Sequence, residues 1–480
     1  MKIKLNKINF LKFLILFAFI CSIIISENVL NQNDKLVEED NFFYHKMIKA
    51  DPMRYLSHGA EIKEQVENGK NFFLAGREHY TKYLPPRLAA IYYIILDKNL
   101  FNNFEEKKVN LNIHFEYLIF QCLFYFLSVY FLFTSIKNKF NYKTTFIIIF
   151  LLCFEPTILQ YNFSFWSESF FFSLQIVILA IFLKKNQNAK NLFLLGLFVG
   201  ILSLQRQIAI FYIIPIIFYY MYFVKKHIST LFLMTGYLII QLFLGYINFL
   251  KTDNFHILTA DSKIEMHRSF VTPVISKKLG ISKTQFNFDE GIVVKEWLEK
   301  ERINYRNKNK FLSKQNNFVD WMDYRREIIL DSDKIKFDNF IKNRTYDYIF
   351  KNLPDFISQY FYKSLHTVVL NPFHISSDYK FKSGEIYYES NSHKKYIPHR
   401  IIYTFAIYIV SLIGFIILYK KKEYNLIAIL IISIVYFFGL VGWSGNTRYF
   451  VPSLIYILIF FSFGLNSIID KLFNKNLLKH

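Results

Sequence analysis

The sequence predicts an all-α polytopic membrane protein: about ten transmembrane helices with two large outward-facing, mainly helical loop segments. Three observations carry that reading. Apolar residues make up 53% of the chain and are gathered into runs rather than spread at amphipathic spacing. A run of about 18 or more such residues crosses a hydrocarbon core roughly 30 Å thick. Lysines and arginines cluster in alternate gaps between the runs, and two long polar stretches fall in the other gaps.

The first run covers residues 10–26 behind a basic amino terminus. It reads as an uncleaved span, because no clean small-x-small site follows it and many spans come later. Runs at 115–136, 144–162, 167–183, 191–204, 208–224 and 230–250 follow. After a long polar stretch come 401–419, 425–442 and 450–469. Ten spans place the basic gaps 137–143, 184–190, 225–227 and 420–422, with both basic tails, on one side. The positive-inside rule makes that side cytoplasmic. The chain then divides into a first transmembrane helix (1–26), a first outer loop (27–114), a transmembrane bundle (115–250), an outer helical segment (251–400), and a last group of three helices with a cytoplasmic tail (401–480). Amphipathic patterns at 296–301 and 337–365 mark the outer segment as helical.

The net charge of +21 invites a nucleic-acid partner. The placement of the charges excludes it: they orient spans or lie along one polar loop. Cys21, Cys122 and Cys153 all fall inside apolar runs and form neither a disulfide framework nor a metal spacing. The scattered histidines of the outer segment, such as His256, His267 and His374, show no ligand spacing either.

Charged residues at membrane depth or at span ends are costly unless they have a partner or a task. Glu155, Glu168, Arg206 and Arg448 are of this kind. Glu155 precedes Pro156, which implies a kinked helix and a buried partner for the carboxylate. Glu168 reads as a structural carboxylate, capping its helix beside Ser167 or pairing with an arginine. The topology brings Glu168, Arg206 and Arg448 to the outer ends of their spans, with Asp51 in the first outer loop. Arginine suits a phosphate, because its planar fork donates two hydrogen bonds while staying charged. A carboxylate suits removal of a proton from an acceptor hydroxyl. Asp51-Pro52 is also a good helix opening, so a cap is the competing reading there.

The Asp51-Pro-Met-Arg-Tyr55 segment resembles the Asp-x-x-x-Tyr pattern in the first outer loop of GT-C fold glycosyltransferases. That class includes the protein mannosyltransferases and their bacterial family 39 relatives. Tyr83, Pro85, Pro86 and Leu88 are similar to its Tyr-x-Pro-Pro-Leu segment, with Arg87 as an extra residue. Glu155-Pro156 and Trp166-Ser167-Glu168 resemble its Pro-containing third span and the Ser-Glu opening of its fourth. Gly196, Gly200 and Arg206 are similar to a Gly-x-x-x-Gly segment ending in Thr-Arg-Pro, with Gln207 where the family has Pro. Arg448, Tyr449 and Pro452 resemble the Arg-Tyr-x-x-Pro opening of a last span. The motifs occur in the family's order along most of the chain.

The resemblance implies a membrane glycosyltransferase that moves a sugar from a polyprenyl-phosphate donor to a lipid, glycan or protein acceptor of the cell envelope, with inversion. Asp51 would be the general base. Arg206 and Arg448 would hold the phosphate, with Tyr55, Tyr83 and Glu168 as further substrate-binding residues. No cofactor is expected beyond the lipid-linked sugar, and no metal ligand set is assigned. The expected place is a bacterial inner membrane, with the site facing the periplasm or exterior. Three other readings stay open: a polymerase or ligase of lipid-linked glycans, a transporter or flippase, and a non-catalytic membrane protein of the same fold. The transporter reading predicts broken helices at the midplane and repeat symmetry, and the sequence displays neither.

Overall fold

A computed structural model describes residues 7–38, 51–76, 83–98, 101–103, 108–109, 111–184, 188–252, 255, 257, 271–280, 342–372, 379–382, 385–388, 397–441 and 447–477. Helices dominate: α1 (Lys7–Glu38), α2 (Asp51–Glu67), α3 (Leu84–Ile95), α4 (Leu111–Ile136), α5 (Tyr142–Phe154), α6 (Pro156–Leu159), α7 (Glu168–Leu183) and α8 (Ala189–Gln205). They continue with α9 (Ile213–Tyr222), α10 (His227–Thr252), α11 (Thr272–Leu279), α12 (Leu353–Val368), α13 (Ile397–Lys420), α14 (Tyr424–Val441) and α15 (Val451–Leu477). Residues 342–351 form a further helical stretch ahead of α12. The predicted all-α class holds, with two short antiparallel hairpins added: Phe101–Asn103 against Lys108–Val109, and Tyr379–Lys382 against Glu385–Tyr388. The amphipathic pattern at 296–301 and the three outer-segment histidines named above lie outside the described residues.

Among the described residues, six helices are long and apolar enough to cross a membrane: Lys7–Asn28, Phe115–Ile136, Tyr142–Phe163, His227–Lys251, Ile397–Lys420 and Val451–Phe473. The other four predicted runs form shorter apolar helices at Glu168–Leu183, Ala189–Gln205, Gln207–Tyr222 and Tyr424–Leu440. The count of ten is therefore not confirmed.

Local chemistry sets the helix boundaries. Asn141 caps α5 by accepting from the Thr144 amide at 2.8 Å. Asn188 caps α8 in the same way through the Asn191 amide at 2.9 Å. Such caps satisfy donors that the first helical turn leaves unpaired. Pro156 lacks an amide hydrogen, and α5 ends just before it.

Packing rests on small residues where helices run side by side. A Cβ on Gly196 would strike the Leu233 carbonyl, and one on Gly236 the Phe193 carbonyl, so α8 and α10 touch backbone to backbone. Gly414 and Gly464 join α13 to α15 in the same manner, against the carbonyls of Phe460 and Val410. Lipid tails are as apolar as leucine, so close van der Waals approach is what association between such helices has to draw on.

The bundle has two distinct ends. At one, Lys7 lies over the Tyr142 ring, Lys184 over Phe131, and Lys143 pairs with Asp470 at 2.5 Å. The amino-terminal tail, the basic gaps 137–143 and 184–190 and the carboxyl-terminal part of α15, all predicted to share a side, thus lie at one end. At the other end lie the amino terminus of α7, the carboxyl terminus of α8 and the turn before α15. The α2–α3 pair is tied to this second end. Phe73 and Tyr83 both pack edge-on against Phe243 of α10, and Lys251 donates to the Ala75 carbonyl at 3.3 Å. Tyr92 of α3 packs on Tyr117 near the start of α4.

Candidate active site

Three of the residues singled out by sequence meet at the second end. Glu168 is the first residue of α7, and its side chain is 0% exposed. Its Oε1 accepts from Arg206 Nη1 at 2.9 Å and also from Arg448 Nε. The two arginines come from different helices' ends. Arg206 follows α8 in an extended conformation, and Arg448 lies in the single 3₁₀ turn Thr447–Tyr449 ahead of α15. Both are buried. One carboxylate between two guanidiniums leaves the trio with one net positive charge.

Aromatic rings flank the cations. The Arg448 guanidinium stacks 3.8 Å from the Trp166 ring centroid. Arg206 lies 5.3 Å from the Tyr449 ring and 5.7 Å from Phe171. Such contacts strengthen when desolvated. Ser167 makes no side-chain cap; its hydroxyl points to Glu168 Oε2 at 3.4 Å. Of the two structural roles expected for Glu168, capping and arginine pairing, pairing is the one its geometry displays.

The backbone around Arg206 is held from several sides. The break between α8 and α9 frees carbonyls that a continuous helix would use. Tyr436 of α14 donates to the Ile208 carbonyl at 2.6 Å, and Tyr237 of α10 to that of Ile210 at 2.5 Å. Gln205 Nε2 donates to the Ser167 carbonyl at 2.9 Å, which joins the two arms of the site directly. Sequence reasoning missed these tethers. The available signal was the tyrosine hydroxyl at bilayer depth, which requires a partner there.

Glu155 behaves as its sequence context implied. The chain breaks at Pro156, and Glu155 Oε2 caps α6 by accepting from the Ile158 amide at 2.8 Å. Its other oxygen accepts from the Tyr403 hydroxyl of α13. Gln160 then reaches the Asn371 carbonyl at 2.9 Å, so this break is also tied to the outer segment.

The remaining predicted residues fall elsewhere. Asp51 is the first residue of α2, and its side chain lies outside the described residues. Tyr55 is buried on the same helix. Tyr83 immediately precedes α3, with the Arg87 guanidinium 3.6 Å from its ring centroid. Burial raises the Tyr83 pKa, against an opposing pull from Arg87. Arg87, read from sequence only as an extra residue, is a clamp: it donates to the carbonyls of Tyr83, Phe73 and Ala75 at 3.1, 2.8 and 3.0 Å. Among the described residues, no group of three or more His, Cys, Asp or Glu side chains assembles as a metal site.

The order of the motifs resembles that of GT-C fold membrane glycosyltransferases, and a family model supports that class over part of the chain. Residues 83–260 match the profile of the Alg9-like mannosyltransferase family, a family of transferases. That stretch contains Glu168 and Arg206 but neither Asp51 nor Arg448. The match does not single out bacterial family 39. No curated protein matches the sequence.

Among solved structures, an archaeal oligosaccharyltransferase, AglB from Archaeoglobus fulgidus, in complex with an inhibitory peptide and a dolichol-phosphate, aligns at 13% identity and a TM-score of 0.45, covering 98% of this chain and 52% of that one. The apo form of the Archaeoglobus fulgidus oligosaccharyltransferase aligns at 13% identity and 0.47, covering 97% and 52%. The chain thus spans about half the length of the structures it matches.

Proposed function

We propose that the protein transfers a sugar from a polyprenyl-phosphate donor to an acceptor hydroxyl of a cell-envelope lipid, glycan or protein, at the outward face of the membrane. Asp51 takes the acceptor proton as that oxygen attacks the anomeric carbon. The bond from that carbon to the phosphate oxygen breaks, and the electron pair leaves on the lipid phosphate. Attack opposite the leaving group inverts the anomeric centre. Arg206 and Arg448 face the phosphate and stabilise charge as it develops; Glu168 fixes their guanidiniums in advance. Preorganised charge of this kind needs no reorganisation at the moment of reaction.

The observation that carries the proposal is the convergence of Arg206 and Arg448 on Glu168. The helix that Asp51 opens belongs to a unit tied to the same end of the bundle. The outward assignment rests on the basic gaps 137–143 and 184–190 lying at the opposite end. The test is a transfer assay on purified protein with polyprenyl-phosphate sugars, comparing Asp51→Asn with the unaltered chain. The Asn variant is expected to lose at least two orders of magnitude in turnover, in line with general-base contributions of about 10²–10⁴. Full turnover in that variant would remove Asp51 from the mechanism.

A further inference from the structure

α12 and the helical stretch 342–351 that precedes it, separated by a break at Asn352, present three different faces. One face packs on the protein: Thr345, Phe356, Ser364 and Thr367 are buried, and Phe356 sits against Val271, Val274 and Ile275 of α11. A second face is polar. Lys351 pairs with Asp347 at 2.9 Å, and Lys278 of α11 reaches Asp355. The third face is apolar and open. Phe350, Leu353, Ile357, Phe361 and Leu365 recur at intervals of three or four residues, and are 73%, 44%, 49%, 66% and 69% exposed. Leu353, Ile357, Phe361 and Leu365 at that spacing form one stripe along α12, and Phe350 lies just before the break at Asn352. The stripe lies between the buried face and the polar one.

The position of α12 shows what this stripe meets. Tyr360 donates to the Gly439 carbonyl in the last turn of α14 at 2.9 Å. Tyr408, roughly three turns into α13, donates to the Val368 carbonyl at 2.7 Å. Arg400 Nε reaches the Leu370 carbonyl at 3.2 Å, and the Leu370 amide donates to Thr404 at 2.9 Å. The carboxyl end of α12 is therefore held below the rim of the bundle, against helices whose own outward surfaces are bare and apolar. On α13 these are Ile402, Phe405, Ile409 and Leu412; on α14, Ile431 and Val435. The stripe is exposed and apolar like those surfaces, and the helix that carries it is joined to both α13 and α14.

We infer that residues 342–368 lie in the membrane–water interface, with Phe350, Leu353, Ile357, Phe361 and Leu365 immersed in the phospholipid bilayer and Lys351 and Asp355 in water. An amphipathic helix with an apolar row beside a charged one takes this position, its apolar face a few ångströms into the headgroup–acyl boundary. Because α12 packs on the turn Thr447–Tyr449, it also ties the bilayer surface to the segment that carries Arg448. The inference does not rest on the proposed reaction.

The experiment uses the full chain in bilayers of phosphatidylcholine and phosphatidylglycerol, with Cys21→Ala to remove the accessible native thiol; Cys122 and Cys153 are fully buried. Nitroxides are placed through Phe361→Cys, Leu365→Cys and Lys351→Cys, with Ile357→Cys as a second stripe position should Phe361→Cys not fold. Collision with oxygen, which concentrates among acyl chains, is compared with collision with a water-soluble nickel chelate. At positions 361 and 365 the oxygen-to-nickel ratio is expected to exceed that at 351 by about fivefold or more, since the labels sit on opposite sides of the interface. Equal ratios at all positions, or stripe labels shielded from both agents as a protein partner or second copy would shield them, overturn the inference.

Discussion

Replacing Glu168 by Gln keeps the volume of the side chain and removes its charge. The unaltered carboxylate is 0% exposed and receives two guanidiniums, themselves 6% and 8% exposed, on one oxygen. In the variant those two cations face each other in a low-dielectric site with no anion between them. Removing one partner of a buried ion pair costs about 3–5 kcal/mol, much of it the penalty on the charge left behind. At 1.4 kcal/mol per factor of ten, the folding constant falls by roughly two to three and a half powers of ten. Arg206→Met is expected to cost less, because Glu168 keeps Arg448. The double variant is the decisive one: without Arg206, the repulsion that Glu168→Gln exposes is gone, so the combined loss falls short of the sum by about 1–3 kcal/mol. Unfolding in mixed micelles, followed by tryptophan fluorescence, reads these differences, and Trp166 reports from the site itself. A loss under about 1 kcal/mol for Glu168→Gln, or additivity within about 0.5 kcal/mol, would refute the reasoning that the trio is one electrostatic unit.

Other perturbations probe the surroundings by the same measurement. Asp470→Asn removes an ion pair at the opposite end whose side chains are 39% and 62% exposed; its cost is expected to stay within about 1 kcal/mol, as for solvent-exposed pairs. Gly414→Val puts side-chain atoms where the Phe460 carbonyl lies, so α13 and α15 must separate. The cost is about 1–3 kcal/mol, and an unchanged unfolding midpoint would contradict the close packing. Tyr436→Phe removes the 2.6 Å bond to the Ile208 carbonyl and is expected to cost about 1–3 kcal/mol for the carbonyl left unpaired. The same variant tests whether that tether positions Arg206: donor KM should rise severalfold, while a rise in neither quantity counts against the tether.

How much of this was legible in the sequence differs from part to part. The apolar runs reappear as helices within a few residues, because a lipid solvent demands both continuous apolar surface and internal hydrogen bonding, and both leave a mark in one dimension. Their lengths were less legible. The runs that open at Glu168 and close before Arg206 form helices too short to meet the length for a full crossing. The break after Phe154 was signalled by Pro156, and the amphipathic pattern at 337–365 corresponds to the described helical stretch from 342. Partners were a different matter. That a buried carboxylate needs a cation follows from charge alone, but Glu168 and Arg448 are 280 residues apart. Nothing local in the sequence selects Arg448 as that cation or sets Trp166 beneath it. Arg87 looked like an insertion into a motif because its role is to bind backbone carbonyls, which every residue carries and no pattern reveals.

The most direct test of the central claim is a single comparison of sugar transfer. Purified protein in proteoliposomes is given radiolabelled polyprenyl-phosphate sugars and an envelope extract as acceptor. Turnover is measured for the unaltered chain, Asp51→Asn, Arg206→Met and Arg448→Met, and folded fraction is measured in parallel. The account predicts label transfer with release of polyprenyl phosphate, and its loss by two orders of magnitude or more in Asp51→Asn at unchanged folded fraction. Transfer that continues undiminished in all three variants, or no release of polyprenyl phosphate from any donor by the unaltered chain, contradicts it.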